Sequence, residues 1–225
     1  MNELLDCVQV DTGTDPRWTV LWLHGLGADG HDFEPIVPEL VRPAWPALRF
    51  LFPHAPVRPV TINGGMRMRA WYDITGMEIA QRQDEAGIRG SLIQVEALIA
   101  REAARGVAAS RVILAGFSQG GAIALACAVR RQEPLAGMVG LSCYLPLGAH
   151  TAAEASTESR ATPAFLGHGW QDPVVPQVLG ERSRDFLTQL GYDVTWRSYG
   201  MPHSVCAEEI HDLADWLEKR FQSAD

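Results

Sequence analysis

The sequence is short of the features that mark several classes of protein, and basic residues are the first of them. Lysine and arginine together number 19 against 27 aspartates and glutamates in 225 residues, which gives a net charge of −8. Binding to nucleic-acid phosphates needs clustered basic side chains, and the sequence contains no such cluster. Charged residues make up only 20% of the chain and apolar residues 47%, so a disordered chain and a nucleic-acid partner are both excluded.

Long apolar runs and paired cysteines are missing as well. No stretch of about 18 apolar residues predicts a spanning helix, and the N-terminus "MNELLDCVQVD" has early acids and no apolar core of a signal peptide. The four cysteines form no C-x-x-C pair, and no two of the seven histidines have zinc-like spacing with an acid. We therefore expect a cytoplasmic protein with reduced thiols and no metal.

Short apolar runs alternate with amphipathic stretches along the whole chain. The runs predict buried strands over 18–23, 48–52, 111–115, 138–141, 163–167 and 193–199. Helical patterns cover 86–104, 122–129, 181–190 and 204–221. Strands that alternate with helices favour a mostly parallel central sheet with helices on both faces, in a single domain over 1–225. The irregular stretch 57–83 is expected to be a long functional loop.

The segment "GFSQGG" contains the clearest chemical signal in the sequence. Ser118 follows a buried strand and precedes the apolar residues "AIALACAV", so it lies where the strand turns sharply into a helix. Gly116 and Gly120 would allow the strand and the helix to approach each other closely. This is the G-x-S-x-G pattern of a nucleophile elbow, which exposes the serine hydroxyl at the end of the sheet.

An acid and a histidine follow Ser118 in the order that a hydrolase triad requires. Asp172 comes after the fifth predicted strand and His203 after the sixth, and ligand chemistry in such sheets occurs at the carboxyl ends of strands. A histidine can accept the serine proton, and a buried carboxylate fixes the histidine tautomer. Asp185 and Asp193 compete as the acid, but Asp185 falls inside a predicted helix and Asp193 begins a strand at the opposite end of the sheet.

Acyl transfer also needs backbone N–H groups that stabilise the tetrahedral oxyanion. One donor is expected from Gln119, which starts the helix after Ser118. The other is expected from the loop "HGLG" after the first strand, at Leu26, with His24 positioning that loop.

Seven segments resemble the phospholipase/carboxylesterase family, which includes small bacterial carboxylesterases and acyl-protein thioesterases. They span nearly the whole chain in order: "LHGLGADGHDF", "FPHAPVRPVTINGG", "WYDI", "GFSQGGAIAL", "LSCYLP", "HGWQDPVVP" and "MPHSVC". The resemblance implies an α/β-hydrolase fold and a serine hydrolase of esters and thioesters that uses no metal or cofactor. Its nucleophile, acid and base fall on Ser118, Asp172 and His203. Its oxyanion donors fall on Leu26 and Gln119.

Three further features carry expectations about the pocket. The aromatic and methionine residues at 66–77 belong either to a satellite core or to an acyl-binding groove, and Trp71 is chosen as the substrate-binding residue. Asp29 and Asp32 are interpreted as a helix cap and a solvated charge. Cys143 replaces the glycine or threonine expected in "LSCYLP" and could narrow a pocket.

The sequence thus predicts a serine carboxylesterase for short to medium acyl chains. The alternative is an acyl-protein thioesterase or lysophospholipase that acts on longer chains, with a lipid-modified protein as a candidate substrate. A third hypothesis is a non-enzymatic binding protein on a hydrolase fold, which an intact triad argues against. A homodimer is possible.

Overall fold

The sheet of the protein has seven strands, of which six run parallel. The computed structural model describes residues 4–76 and 83–222. The strands lie in the order β1-β3-β2-β6-β7-β8-β9, and only β1 is antiparallel to its neighbour. Their bounds are β1 Cys7–Asp11, β2 Trp18–Leu23, β3 Leu48–Pro53, β6 Val112–Phe117, β7 Gly137–Leu141, β8 Ala164–Gly169 and β9 Val194–Tyr199. The mostly parallel central sheet expected from the sequence is confirmed.

Helices cover the sheet on both of its faces. They are α1 Ile36–Leu40, α2 Glu85–Ala104, α3 Gln119–Ala128, α4 Gly148–Glu154, α5 Gln177–Gln189 and α6 Ala207–Gln222. Side chains alternate along β2, so Leu21 and Leu23 pack with α2, α3 and α5, whereas Val20 and Trp22 pack with α1 and α6. The strands of such a doubly covered sheet are buried along their length, which explains the nearly continuous apolar runs in the sequence.

The sequence analysis missed the short helices α1 and α4, and it also missed two strand features that lack a strong apolar pattern. The first is β1, whose residues alternate between half-buried and exposed because it is the edge strand. The second is a two-stranded hairpin of β4, Val57–Val60, and β5, Met66–Arg69, so the expectation of one long irregular loop over 57–83 is wrong for its first half. Alternating arginines and a proline hide this hairpin, which pairs only with itself.

The last helix begins later than the sequence suggests. It starts at Ala207, three residues after Ser204, so the serine does not cap it as expected.

Among the described residues, no helix combines the length and the apolar character that crossing a bilayer requires. The four cysteines are free thiols, and Cys127 and Cys143 are buried.

Candidate active site

Ser118 occupies a strained turn that only its glycine neighbours make possible. Its φ of 54° and ψ of −121° are unusual for a residue with a side chain. A Cβ at Gly120 would collide with the carbonyl oxygens of Leu23 and His24, and one at Gly116 would collide with the Gly120 carbonyl. Gly116 therefore lets α3 lie close to β6, and Gly120 lets α3 lie close to the end of β2. Ser118 lies at the carboxyl end of the central strands.

The three residues that the sequence selected as a triad lie together in the fold. The Oγ of Ser118 is 2.9 Å from Nε2 of His203, and Nδ1 of that histidine is 2.7 Å from Oδ2 of Asp172. The carboxylate of Asp172 is buried, whereas the imidazole is partly exposed toward the serine. The competing acids are elsewhere, since Asp185 lies on α5 and Asp193 precedes β9.

The loop after β8 fixes the orientation of the Asp172 carboxylate. The backbone N–H groups of Val174 and Val175 each donate to Oδ1 across 2.8 Å, which leaves Oδ2 for His203. His168 supports the same loop, because its Nε2 donates to the carbonyl of Val175 across 2.8 Å. Burial lowers the pKa of His168, so the ring is neutral and structural, as the sequence indicated.

The loop after β2 is held by His24. The N–H of Ala55 donates to Nε2 of His24 across 3.1 Å, and Nδ1 lies 2.7 Å from the carbonyl of Gly25. Burial lowers the pKa of His24, so the ring is neutral with its proton on Nδ1. Gly27 closes the loop by donating to the carbonyl of Arg69 across 2.9 Å. The loop that carries Leu26 is therefore fixed at both ends.

Leu26 and Gln119 both border the space above Ser118. Within residues 4–76 and 83–222, neither of their N–H groups donates a backbone hydrogen bond. The side chain of Gln119 is fully used, however. Its Oε1 accepts from the N–H of Trp71 across 2.8 Å, and its Nε2 donates to the carbonyl of Tyr72 across 2.7 Å.

Trp71 does not line the groove, so its choice as a substrate-binding residue is corrected. Its side chain is completely buried, and its indole Nε1 donates to the carbonyl of His24 across 2.9 Å. The hydroxyl of Ser91 on α2 donates to the Trp71 carbonyl. The indole thus supports the loop of Leu26 from within the core, and the adjacent Tyr72 faces the substrate space instead.

An apolar groove of about 470 Å³ opens above Ser118. Its aliphatic and aromatic walls come from the loop after β2, from residues 62–74 and from the loop after β8. The apolar members are Leu26, Ala28, Ile62, Tyr72, Ile74, Phe117, Tyr144, Pro173, Val174 and Val175. The ring of Phe117 lies against His203 with centroids 4.8 Å apart. Of the aromatic and methionine residues expected to form a groove at 66–77, Tyr72 lines it, whereas Met66, Met68 and Trp71 do not, and Met77 lies outside the described residues.

Asp32 is exposed, which agrees with its interpretation as a solvated charge, and it also lines this groove. Asp29 does not cap a helix either, because it accepts from the N–H of His31 across 2.8 Å in the turn before α1. Cys143 is buried, and its Sγ lies so close to Gly121 and Gly140 that a Cβ at either position would be 2.8 Å from it. It fills core space behind Ser118 and does not narrow the groove.

A second cavity of about 530 Å³ adjoins the groove at Tyr144, which lines both spaces. The hydroxyl of Tyr144 lies 3.3 Å from that of Tyr72. Leu145, Leu147, Leu179 and Phe186 supply the apolar part of the second cavity. The tyrosine pair therefore stands where the two spaces meet.

The comparisons with known proteins agree with this geometry. Residues 5–221 match the family model described as phospholipase/carboxylesterase. The chain belongs to the phospholipase/carboxylesterase family. Its α/β-hydrolase fold is shared with Arabidopsis thaliana SOBER1, at a TM-score of 0.86 and 32% identity over 91% of this chain and 99% of that one. Membership in this family makes the chain a hydrolase.

Curated relatives of this family member carry the name acyl-protein thioesterase 1. One from Yarrowia lipolytica is 40% identical over 91% of this chain and 92% of its own length. One from Cryptococcus neoformans is 39% identical over 88% of this chain and 90% of its own length. These names favour the thioesterase alternative of the sequence analysis over its carboxylesterase prediction.

Sequence reasoning missed several residues that shape the groove, above all Asp32, Ile62 and Tyr144. Their segments were recognised as motifs, but nothing in the local pattern indicates that their side chains converge on Ser118. Ile62 is the exception in principle, because an exposed isoleucine between a strand and a turn is a signal of an apolar surface.

Proposed function

We propose that this protein is a serine hydrolase that removes acyl chains from cysteine thioesters of proteins. The observation that carries the proposal is the series of hydrogen bonds from Ser118 to His203 and from His203 to the buried Asp172. Ser118 and His203 of this series line an apolar groove. A hydroxyl, a base and an orienting carboxylate at these distances form an activated nucleophile. The names of the curated relatives support a thioester of a lipid-modified protein as the substrate.

The reaction would proceed through an acyl-enzyme. The Ser118 hydroxyl attacks the thioester carbonyl while Nε2 of His203 takes its proton. The tetrahedral intermediate then collapses, the carbon–sulfur bond breaks, and His203 returns the proton to the leaving thiol. Water, deprotonated by the same nitrogen, then attacks the acyl-serine carbonyl. The bond between the acyl carbon and Oγ of Ser118 breaks, His203 returns the proton to Oγ, and the fatty acid leaves.

The N–H groups of Leu26 and Gln119 are proposed to stabilise the oxyanion. Gln119 is the first residue of α3, so its amide adds to the positive end of the helix dipole. The Leu26 amide belongs to the loop that His24 and Trp71 hold in place. Removing one such donor typically costs about 2.7–4 kcal/mol of transition-state stabilisation.

Apolar walls suit the acyl half of the substrate. Each methylene that leaves water for the groove contributes about 0.8 kcal/mol, which corresponds to roughly a fourfold gain in affinity. The walls at Ile62, Ile74 and Val174 come from three separate segments and border the space at Ser118. The rate constant kcat/KM is therefore expected to rise with acyl length until the chain outgrows the groove.

The test uses cysteine thioester peptides with acyl groups from acetyl to palmitoyl, together with the matching serine esters. Ser118→Ala should lower kcat on the order of 10⁶-fold on every substrate. The exposed Ser110 gives the matched control, since Ser110→Ala alters a serine outside the groove. Wild-type cleavage of the longer thioesters, lost in Ser118→Ala only, supports the proposal. Activity retained in Ser118→Ala overturns it.

A carboxylesterase for short to medium acyl chains is the second candidate, and the tyrosine pair is the observation that favours it. Tyr72 and Tyr144 meet at 3.3 Å where the groove adjoins the second cavity, so they limit the space beyond. In the same substrate series this candidate requires an optimum at short chains and no advantage of thioesters over esters. A long-chain optimum would rule it out.

A further inference from the structure

Asp32 brings a carboxylate into a groove whose walls are mostly apolar. It follows the loop of Leu26 and Ala28, and all three line the space that contains Ser118 and His203. Among the described residues that line this space, Asp32 is the only carboxylate, and no lysine or arginine is present there. The groove that contains Ser118 therefore carries one negative charge on its wall.

The charge of Asp32 is not neutralised within the protein. Inside the ranges 4–76 and 83–222, no hydrogen bond or ion pair engages its carboxylate. Its backbone N–H donates to the carbonyl of Asp29 across 3.1 Å, which places two acids on one turn. Burial, and then the neighbouring charge of Asp29, raise the pKa of Asp32. Asp32 is exposed, and a carboxylate without a partner is free to pair with a cation supplied by a ligand.

We propose that Asp32 is a specificity-determining residue that favours substrates with a cationic group on the leaving half of the thioester or ester. The proposal rests on the hydrolase function proposed above and adds the chemistry of the alcohol or thiol half. In a protein substrate the cation is a lysine or arginine beside the acylated cysteine.

The cation belongs to the leaving half because the acyl half offers none. A fatty acyl chain is aliphatic, and Ile62, Ile74 and Val174 supply walls for it. The carboxylate of Asp32 has nothing to bind on such a chain. The net charge of −8 also favours a cationic substrate, since a negatively charged protein attracts cations and repels anions.

The experiment compares two thioesters that differ in one charge. Butyrylthiocholine carries a trimethylammonium group, and S-(3,3-dimethylbutyl) thiobutyrate replaces the nitrogen by carbon with the same shape. The wild type should have a kcat/KM roughly tenfold higher for the cationic substrate at low ionic strength. Added salt should reduce that ratio because it screens the carboxylate.

Three variants separate Asp32 from the overall charge of the protein. Asp32→Asn should bring the ratio close to one while the rate on the uncharged thioester stays within about twofold of wild type. Asp32→Glu keeps the charge and should keep the preference. Glu39→Gln removes one exposed acid outside the groove and should leave the ratio unchanged.

The outcomes distinguish failure of this inference from failure of the proposed function. A wild type that cleaves the uncharged thioester but shows no preference for the cation overturns the role of Asp32 alone. The same holds if Asp32→Asn keeps the preference, or if Glu39→Gln abolishes it equally. A wild type that cleaves neither substrate overturns both proposals together.

Discussion

The indole Nε1 of Trp71 donates a hydrogen bond to the carbonyl oxygen of His24 across 2.9 Å. That carbonyl begins the loop whose N–H at Leu26 is proposed to stabilise the oxyanion. The ring centroids of the two side chains are 5.4 Å apart, so the indole also packs against the imidazole that holds the loop. Trp71 is buried, lies outside the groove and supports the loop that carries the proposed oxyanion donor.

Trp71→Phe removes this hydrogen bond and should reduce kcat. The lost bond is worth about 0.5–1.5 kcal/mol, so the expected reduction is roughly 2- to 10-fold. It should be the same for acetyl and longer acyl substrates, because the indole does not line the groove. The exposed Trp170 supplies the control, since Trp170→Phe should have no such effect on kcat. A reduction of kcat that increases with acyl length would instead indicate that Trp71 contacts the substrate.

Asp172→Asn should leave the fold intact and lower kcat by about 10⁴-fold. The Asn oxygen can still accept from the N–H groups of Val174 and Val175, which turns its NH₂ toward His203. The histidine is then held in the wrong tautomer, with its proton on the nitrogen that faces Ser118. Steady-state kinetics with circular dichroism checks both halves of the prediction, and Asp185→Asn on the exposed face of α5 should be silent. A fall of less than tenfold would show that Asp172 does not orient the base.

Gly120→Ala should destabilise the protein, because the new methyl group collides with the carbonyls of Leu23 and His24. Overpacking of this kind costs about 1–3 kcal/mol, and here the neighbour is backbone that cannot rotate away. Gly90→Ala is the matched control inside α2, where no atom lies within 4 Å of the new Cβ. It should stabilise the protein by about 0.5–1 kcal/mol. Urea unfolding measures both, and equal effects of the two substitutions would contradict the close approach of α3 to the end of β2.

Glu209 should make the protein less stable as the pH rises above 4.5. Burial raises the pKa of this carboxyl from 4.5 to about 8, with a smaller effect of Asp212. Between these values the folded state keeps a proton that the unfolded state has lost. The free energy of unfolding contributed by this group is therefore full below 4.5 and falls by about 1.4 kcal/mol per pH unit up to about 8.

Glu209→Gln should remove that decline, which unfolding curves near pH 5 and near pH 8 will detect. The exposed Glu208 is the adjacent control, and Glu208→Gln should keep the wild-type slope. Within the described residues neither carboxyl oxygen of Glu209 has a hydrogen-bond partner, so the amide loses no contact that the acid makes. An unchanged slope in Glu209→Gln would assign the pH dependence to other groups.

The central strands and the relative positions of Ser118, Asp172 and His203 were predictable because local signals determine them. The central strands are buried on both faces, so their sequences are unbroken apolar segments. Glycines flank Ser118 because a side chain at either position would collide with neighbouring backbone. The hairpin of β4 and β5 was not predictable, since its stability comes from pairing between two segments that each contain arginine.

The position of Trp71 escaped prediction for a different reason. The backbone around it is held by the side chain of Gln119, which is 48 residues away in the sequence. Whether an aromatic residue in an irregular segment faces a groove or the core depends on such distant contacts. The position of Asp32 in the groove could not be predicted for the same reason, because it depends on how two loops come together in the fold.

The two hydrogen bonds of the Gln119 side chain have a consequence for redesigning the enzyme. They tie the backbone of Trp71 and Tyr72 to the first turn of α3, so the groove wall at Tyr72 is held against the helix end that is proposed to stabilise the oxyanion. Attempts to widen the groove at position 72 will therefore trade selectivity against rate. Changes at Ile62, which lies on a separate segment, are expected to broaden the substrate range without altering the contacts among Ser118, Asp172 and His203.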